Sequence, residues 1–178
     1  LSTITGMGSL FIGSRVTAKI FMGCLKSSLQ KSDIVVQNKS DYKIFKKLVT
    51  TSTRIINGSG VRSPKNFQCK SISEKITFGY VGRLIPSKRT SILIEAFSRL
   101  PTEYKDIASL HIFGDTDKGS IEKKSGFFSP YNKNNIYFHG WVSNKAEIYK
   151  KLDFNILLSE REGLPRSIIE GFSYGVPA

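Results

Sequence analysis

Cysteine, histidine and tryptophan are scarce: 178 residues hold two Cys (Cys24 and Cys69), two His and one Trp. Two thiols cannot staple a disulfide scaffold, so both are read as free. His111 and His139 have no Cys or acidic neighbours at metal-ligand spacing, which argues against a structural zinc site. No apolar run approaches the roughly 20 residues of a bilayer span. An initiator Met and a secretory leader pattern are both missing, and Leu1 is expected to be a cut end. No GxxxxGK[ST] element occurs, and "GMG" (Gly6 to Gly8) and "GSG" (Gly58 to Gly60) are too short for a dinucleotide fingerprint. A G-x-S-x-G nucleophile elbow is absent as well. Acids are few, with 14 Asp and Glu against 27 Lys and Arg, a net charge of +13.

What is present, 39% apolar and 23% charged residues, fits a soluble globular chain of one or two domains. The basic excess is uneven. Residues 1–75 carry 13 Lys/Arg against three acids, or +10, and residues 76–178 carry 14 against 11, or +3. Such asymmetry concerns partners rather than fold. Nucleic acid, an anionic membrane surface, a polyphosphate ligand and a plain solvated basic face all fit it.

Hydrophobic spacing over residues 9–31 predicts an amphipathic helix, loosened at Gly13 and Gly23. "DIVVQN" reads as a strand, and Ser40 or Asp41 is expected to cap a short helix ending at Leu48. "RIINGSGV" reads as a strand running into a glycine turn. Residues 62–75 lack periodicity and look like a linker between a first part, 1–61, and a second, 76–178. The second part alternates regularly. Strands are expected at "ITFGYVG", "IASLHIFGD", "NIYFHGW" and "DFNILLS", and helices at "RTSILIEAFSRL", "NKAEIYKKL" and "PRSIIEGFSYG", the last closed by Gly175. That alternation predicts an α/β fold with a parallel doubly wound sheet.

Ligands of such sheets lie outside the carboxyl ends of the strands. The loops to inspect are therefore Gly82–Lys88, 114–117, His139–Trp141 and Ser159–Arg166. Arg83 follows a strand and Lys88 precedes a helix, a pair of cations suited to a diphosphate near free helix N–H groups. Two surface cations at a loop would look the same. In "SEREGLPRSIIEG", Glu162 stands on the loop and Glu170 one turn into the helix, with the amides of Gly163 and Leu164 near the positive helix end. Carboxylates accept well from the vicinal hydroxyls of a sugar, so the two acids suit the sugars of a nucleotide-sugar. By spacing alone, Glu162 pairing with Arg161 or Arg166 and Glu170 on a solvated face serve equally. "GDTD" (114–117) could hold a cation or simply turn the chain.

Taken in order, "YVGRLIPSK", "LIEAF", "LHIFGD", "IYFHGW" and "LLSEREGLPRSIIEGFSYGVP" resemble the C-terminal domain of family 4 (group 1) glycosyltransferases, retaining enzymes of the GT-B fold. "TITGMGSLFIG", "DIVVQNKSD" and "INGSGV" resemble the later part of the N-terminal, acceptor-side domain in a bacterial surface-polysaccharide subgroup. The resemblance implies a Rossmann-like C-terminal domain over 76–178 and an incomplete N-terminal one over 1–61. It implies transfer of a hexose or N-acetylhexosamine from a nucleotide-diphosphate sugar, such as a UDP-sugar, to a glycan or polyprenyl-diphosphate-linked acceptor. Arg83 and Lys88 would hold the donor diphosphate, Glu162 the transferred sugar and Glu170 the ribose. Gly82, Gly163, Leu164, Pro165 and Arg166 would meet phosphate or sugar, with His139 near the base. Gly6 and Gly8 would lie on the acceptor side. No metal or other cofactor is implied, and no nucleic acid.

Departures from the family pattern are Arg89 where Gly often follows the lysine, Arg62 where Asp is usual after "GSGV", and Gly6 where many relatives place a His. The chain reads as a fragment missing both ends. Residues 1–60 alone are expected to bury no proper core, and this chain to show weak or no transferase activity. The implied location is cytoplasmic, with peripheral contact to an anionic inner leaflet through the basic amphipathic segment. A same-fold sugar-nucleotide epimerase or phosphorylase, an inactive fragment and a basic nucleic-acid-binding module are the rival readings.

Overall fold

The computed structural model describes residues 1–5, 15–58, 60–64, 74–116, 135–160 and 162–178. The chain divides into two compact units. The first comprises Leu1–Gly60 with Arg161–Pro165, and the second Val61–Glu160 with Arg166–Ala178.

In the first unit, β1 (Ser2–Ile4), β2 (Ile34–Val36) and β3 (Thr53–Ile55) form a parallel sheet in the order β1-β2-β3. Helix α1 (Arg15–Leu29) joins the first pair of strands and α2 (Lys39–Leu48) the second. Strand β2 is central and buried at all three residues, as its β-branched run requires. Phe45, Val36, Ile34 and Val49 make the core, and Met22, Leu25 and Leu29 of α1 pack against it. Two expectations need correction. Helix α1 runs unbroken through Gly23, because its packing face outweighs the cost of one exposed glycine, about 1 kcal/mol. The cap of α2 is Asn38, not Ser40 or Asp41. Its side chain accepts from the Asp41 amide at 2.8 Å and donates to the buried Asp41 carboxylate at 2.8 Å. Each group thereby satisfies the other at the positive end of the helix. Gly13 lies outside the described residues.

The second unit holds β4 (Ile76–Val81), β5 (Ala108–Phe113), β6 (Ile136–Gly140) and β7 (Phe154–Asn155), all parallel, in the order β6-β5-β4-β7. Between them come a 3-10 turn (Pro86–Lys88), α3 (Thr90–Ser98), α4 (Thr102–Lys105) and α5 (Lys145–Tyr149), and α6 (Arg166–Ser173) follows β7. Alternation along the strands splits the core. Tyr80, Leu110, Ile112 and Ile136 join Leu93, Ile94 and Phe97 of α3 in one cluster, and Phe113 joins Ile148, Tyr149, Leu152 and Val176 in another. Each such buried side chain contributes roughly 1.5–3 kcal/mol relative to exposure. Helix α6 ends in a Schellman motif, with Gly175 N–H donating to Phe172 O at 3.0 Å and Val176 N–H to Gly171 O at 2.9 Å. Gly175 has the positive φ, 68°, that this motif uses. Asn155 N–H donates to Pro177 O at 2.7 Å, so the chain beyond Gly175 runs beside β7.

Strand order marks one place where the loops of the second unit diverge and a ligand could enter. The chain moves outward through β4, β5 and β6, then returns to the other side of β4 as β7. The order therefore reverses between β4 and β7, a topological switch point. No helix among the described residues is long and apolar enough to cross a membrane.

Candidate functional site

At the carboxyl ends of β4, β5 and β6 the second unit forms a half-open cavity of about 200 Å³. Its walls include Gly82 and Arg83 after β4, Gly114 and Asp115 after β5, Trp141 after β6, and Lys145 in the first turn of α5. Backbone bonds draw the first two loops together. Gly82 N–H donates to Phe113 O at 3.0 Å, and Leu84 N–H to Asp115 O at 3.0 Å. Gly114, with φ 148°, lies so close that a Cβ there would stand 1.8 Å from the Gly82 carbonyl oxygen. Only glycine fits that approach. Tyr80 Oη donates to Arg83 O at 2.8 Å, fixing the backbone of the first cation.

Lys145 joins the cavity to Glu170. Its ammonium lies 2.5 Å from Glu170 Oε2, while Arg166 Nη2 lies 3.6 Å from Oε1. Glu170 is buried, only 8% exposed. Its charge is therefore compensated by partners rather than by solvent. Tyr149 Oη donates to Ser167 O at 2.8 Å and sits 3.4 Å from Glu170 Oε2. Burial, and then the Glu170 charge, push the Tyr149 phenol well above its ordinary value, leaving a neutral donor. Sequence spacing alone does not single out Lys145 and Tyr149 as site residues. Their i, i+4 spacing on one helix face was the available signal.

His139 occupies an irregularity in the β5–β6 ladder, where Ile112 pairs with Phe138 but Phe113 with Gly140. The extra residue turns its ring onto Phe113, with centroids 4.4 Å apart. Its Nε2 meets His111 Nδ1 at 2.9 Å, a bond in which one imidazole donates and the other accepts. Partial burial, and then the charge of Lys151, lower the pKa of His139.

Lys88 closes the 3-10 turn that follows the Arg83 loop, and Arg89 caps α3. The other predicted residues stand elsewhere. Glu162, Gly163, Leu164 and Pro165 fall in the segment grouped with the first unit. There a Cβ on Gly163 would lie 2.3 Å from the Thr5 carbonyl oxygen, and Leu164 covers Gly58. Arg166 opens α6 and is exposed. Gly6 and Gly8 lie outside the described residues. Among the described residues no three His, Cys, Asp or Glu side chains converge as a metal site would require.

These features make the second unit a doubly wound α/β domain with its polar groups gathered at the carboxyl end of the sheet. Residues 62–178 match the family described as Glycosyl transferases group 1, and the chain belongs to that family. It is 31% identical over 176 residues to the O-antigen biosynthesis glycosyltransferase WbnH of Escherichia coli, covering 97% of this chain and 48% of that protein. To the capsular polysaccharide biosynthesis glycosyltransferase CapH of Staphylococcus aureus it is 32% identical over 149 residues, covering 80% and 39%. The crystal structure of Anabaena Alr3699/HepE with UDP and glucose resembles it with a TM-score of 0.70 at 18% identity, over 98% of this chain and 50% of that one. That last likeness concerns the fold, and it agrees with the expected parallel α/β class. The chain spans about half the length, or less, of the curated relatives it matches.

Proposed function

We propose that this chain carries the donor site of a retaining glycosyltransferase that moves a hexose or N-acetylhexosamine from a nucleotide-diphosphate sugar onto a surface glycan. The observation that carries the reading is the cavity at the strand ends, walled by Gly82, Arg83, Trp141 and Lys145, with Lys145 gripping the buried Glu170. An aromatic ring, a cation and a compensated carboxylate suit a base, a diphosphate and a ribose. The relatives' names, O-antigen and capsular polysaccharide biosynthesis, and the UDP and glucose held by HepE support the same chemistry.

In this reading Glu170 accepts from the ribose hydroxyls, and the His139–Trp141 loop lies toward the base. Arg83 and Lys88 hold the diphosphate, and Glu162 takes hydroxyls of the transferred sugar. The stretch from Gly163 through Leu164 and Pro165 to Arg166 meets phosphate or sugar. As the bond from the sugar C1 to the diphosphate oxygen breaks, the acceptor oxygen bonds to C1 on the same face, and its proton passes to the leaving phosphate. The chain's part is electrostatic. Arg83 and Lys88 offset the charge growing on the diphosphate, and loss of one such group costs on the order of 10²–10³ in rate. The acceptor is assigned as a glycan or polyprenyl-diphosphate-linked glycan, with Gly6 and Gly8 on its side. The basic first unit is assigned to the anionic cytoplasmic leaflet. No nucleic acid, metal or other cofactor takes part.

Saturation-transfer NMR with UDP-glucose, UDP-N-acetylglucosamine and GDP-mannose tests the donor assignment. At least one nucleotide-sugar should receive saturation at its base and ribose protons. Glu170→Ala should weaken its binding by about tenfold or more, the loss of charge-assisted hydrogen bonds. Equal binding by the variant, or none by the parent chain, would contradict the assignment.

A further inference from the structure

We propose that Arg89 and Glu160 form a positioning pair, which holds the turn bearing Lys88 against the loop that leaves β7 and so sets where the Lys88 ammonium stands. Strands β4 and β7 share two ladder positions, Phe78 with Phe154 and Gly79 with Asn155. Past the ladder their loops part at the switch point, where a ligand must find its partners already in place. Two kinds of contact tie them together. Glu160 N–H donates to Ser87 O at 3.0 Å. Arg89 Nε donates to Glu160 Oε1 at 3.1 Å, and Arg89 Nη2 lies 3.1 Å from the same oxygen as an ion pair.

The backbone of Arg89 explains why the side chain matters. It adopts φ 53° and ψ 31°. That is the left-handed region that favours glycine and that few other residues enter without cost. Arginine holds that conformation at a cost glycine would avoid, and its side chain makes the contact to Glu160 that glycine could not. The turn transmits that hold to its neighbour. Lys88 N–H donates to Ile85 O and Arg89 N–H to Pro86 O, both at 2.9 Å, so Lys88 moves with Arg89. The two side chains are 49% and 33% exposed. Such a pair has the modest strength of surface ion pairs. Its consequence is placement.

The role given to Lys88 rests on the donor reading above, so the test has two arms. The first follows amide exchange at residues 87–90 in the 178-residue chain. Glu160→Gln should speed it about two- to fivefold, the range of an exposed pair. In an Arg89→Gly background the same change should add nothing. The second arm compares UDP with uridine, which lacks the diphosphate. Glu160→Gln should weaken UDP by a similar factor and leave uridine unchanged. Unaltered exchange in Glu160→Gln overturns the proposal, and so does an equal loss for UDP and uridine. A parent chain that binds neither compound refutes the donor reading instead, and the exchange arm then decides the pair by itself.

Discussion

In the first unit, three strands of three residues gather around Ile34, Val36, Phe45 and Val49. In the second, the six-residue strands β4 and β5 are packed on both faces, by two separate clusters. Helix α1 of the first unit leaves Val16 and Ile20 exposed at 65% and 64%, whereas the second unit forms a half-open pocket whose Lys145 pairs with the buried Glu170. A polar constellation can be held rigidly only where the surrounding core has fixed the backbone. Preorganised chemistry is therefore expected in the unit whose strands are long enough to be packed on both faces.

Glycine substitutions should separate the units most sharply, because they should move stability in opposite directions. Gly114→Ala pushes a methyl group into the Gly82 carbonyl at a backbone angle that alanine resists. It should cost the second unit at least about 3 kcal/mol and abolish nucleotide binding. Gly23→Ala meets nothing within 4 Å in the middle of α1. It should stabilise the first unit by about 0.5–1 kcal/mol. Urea unfolding monitored by circular dichroism checks both. If Gly114→Ala is tolerated, the two loops are not locked as described.

The smallest effect concerns pH. His139 has a lowered pKa in the folded unit, so its neutral form is favoured there. Its contribution is complete above the unfolded value, near 6.5, and is lost as pH falls through that region. The melting temperature should drop slightly between neutral and mildly acidic pH, and His139→Gln should flatten the slope. A proton NMR titration of His139 with a midpoint above the unfolded value would reverse the sign of this effect.

Much of the second unit was legible in the sequence because its strands are apolar runs and its loops begin at their ends. "ITFGYVG" and "IASLHIF" need no tertiary information to be read as buried strands. The first unit was less legible. Gly23 reads as a break until α1 is seen packed against β2, and Asn38 loses the cap to Ser40 unless the first turn is placed two residues earlier. Lys145 stayed hidden because "NKAEIYKKL" has the pattern of any short surface helix. Only the fold brings its first turn beside Glu170. Arg89 was visible as a departure from glycine, but its partner Glu160, 71 residues away, was not.

Binding of a nucleoside diphosphate in the half-open cavity at the strand ends of the second unit can be read out directly. Trp141 is the chain's single tryptophan, lines that cavity and is 74% exposed, so its fluorescence reports on the site without any label. Titration with UDP should change the Trp141 emission saturably, with inorganic diphosphate acting more weakly. Emission that stays flat to concentrations on the order of 10 mM would contradict the account.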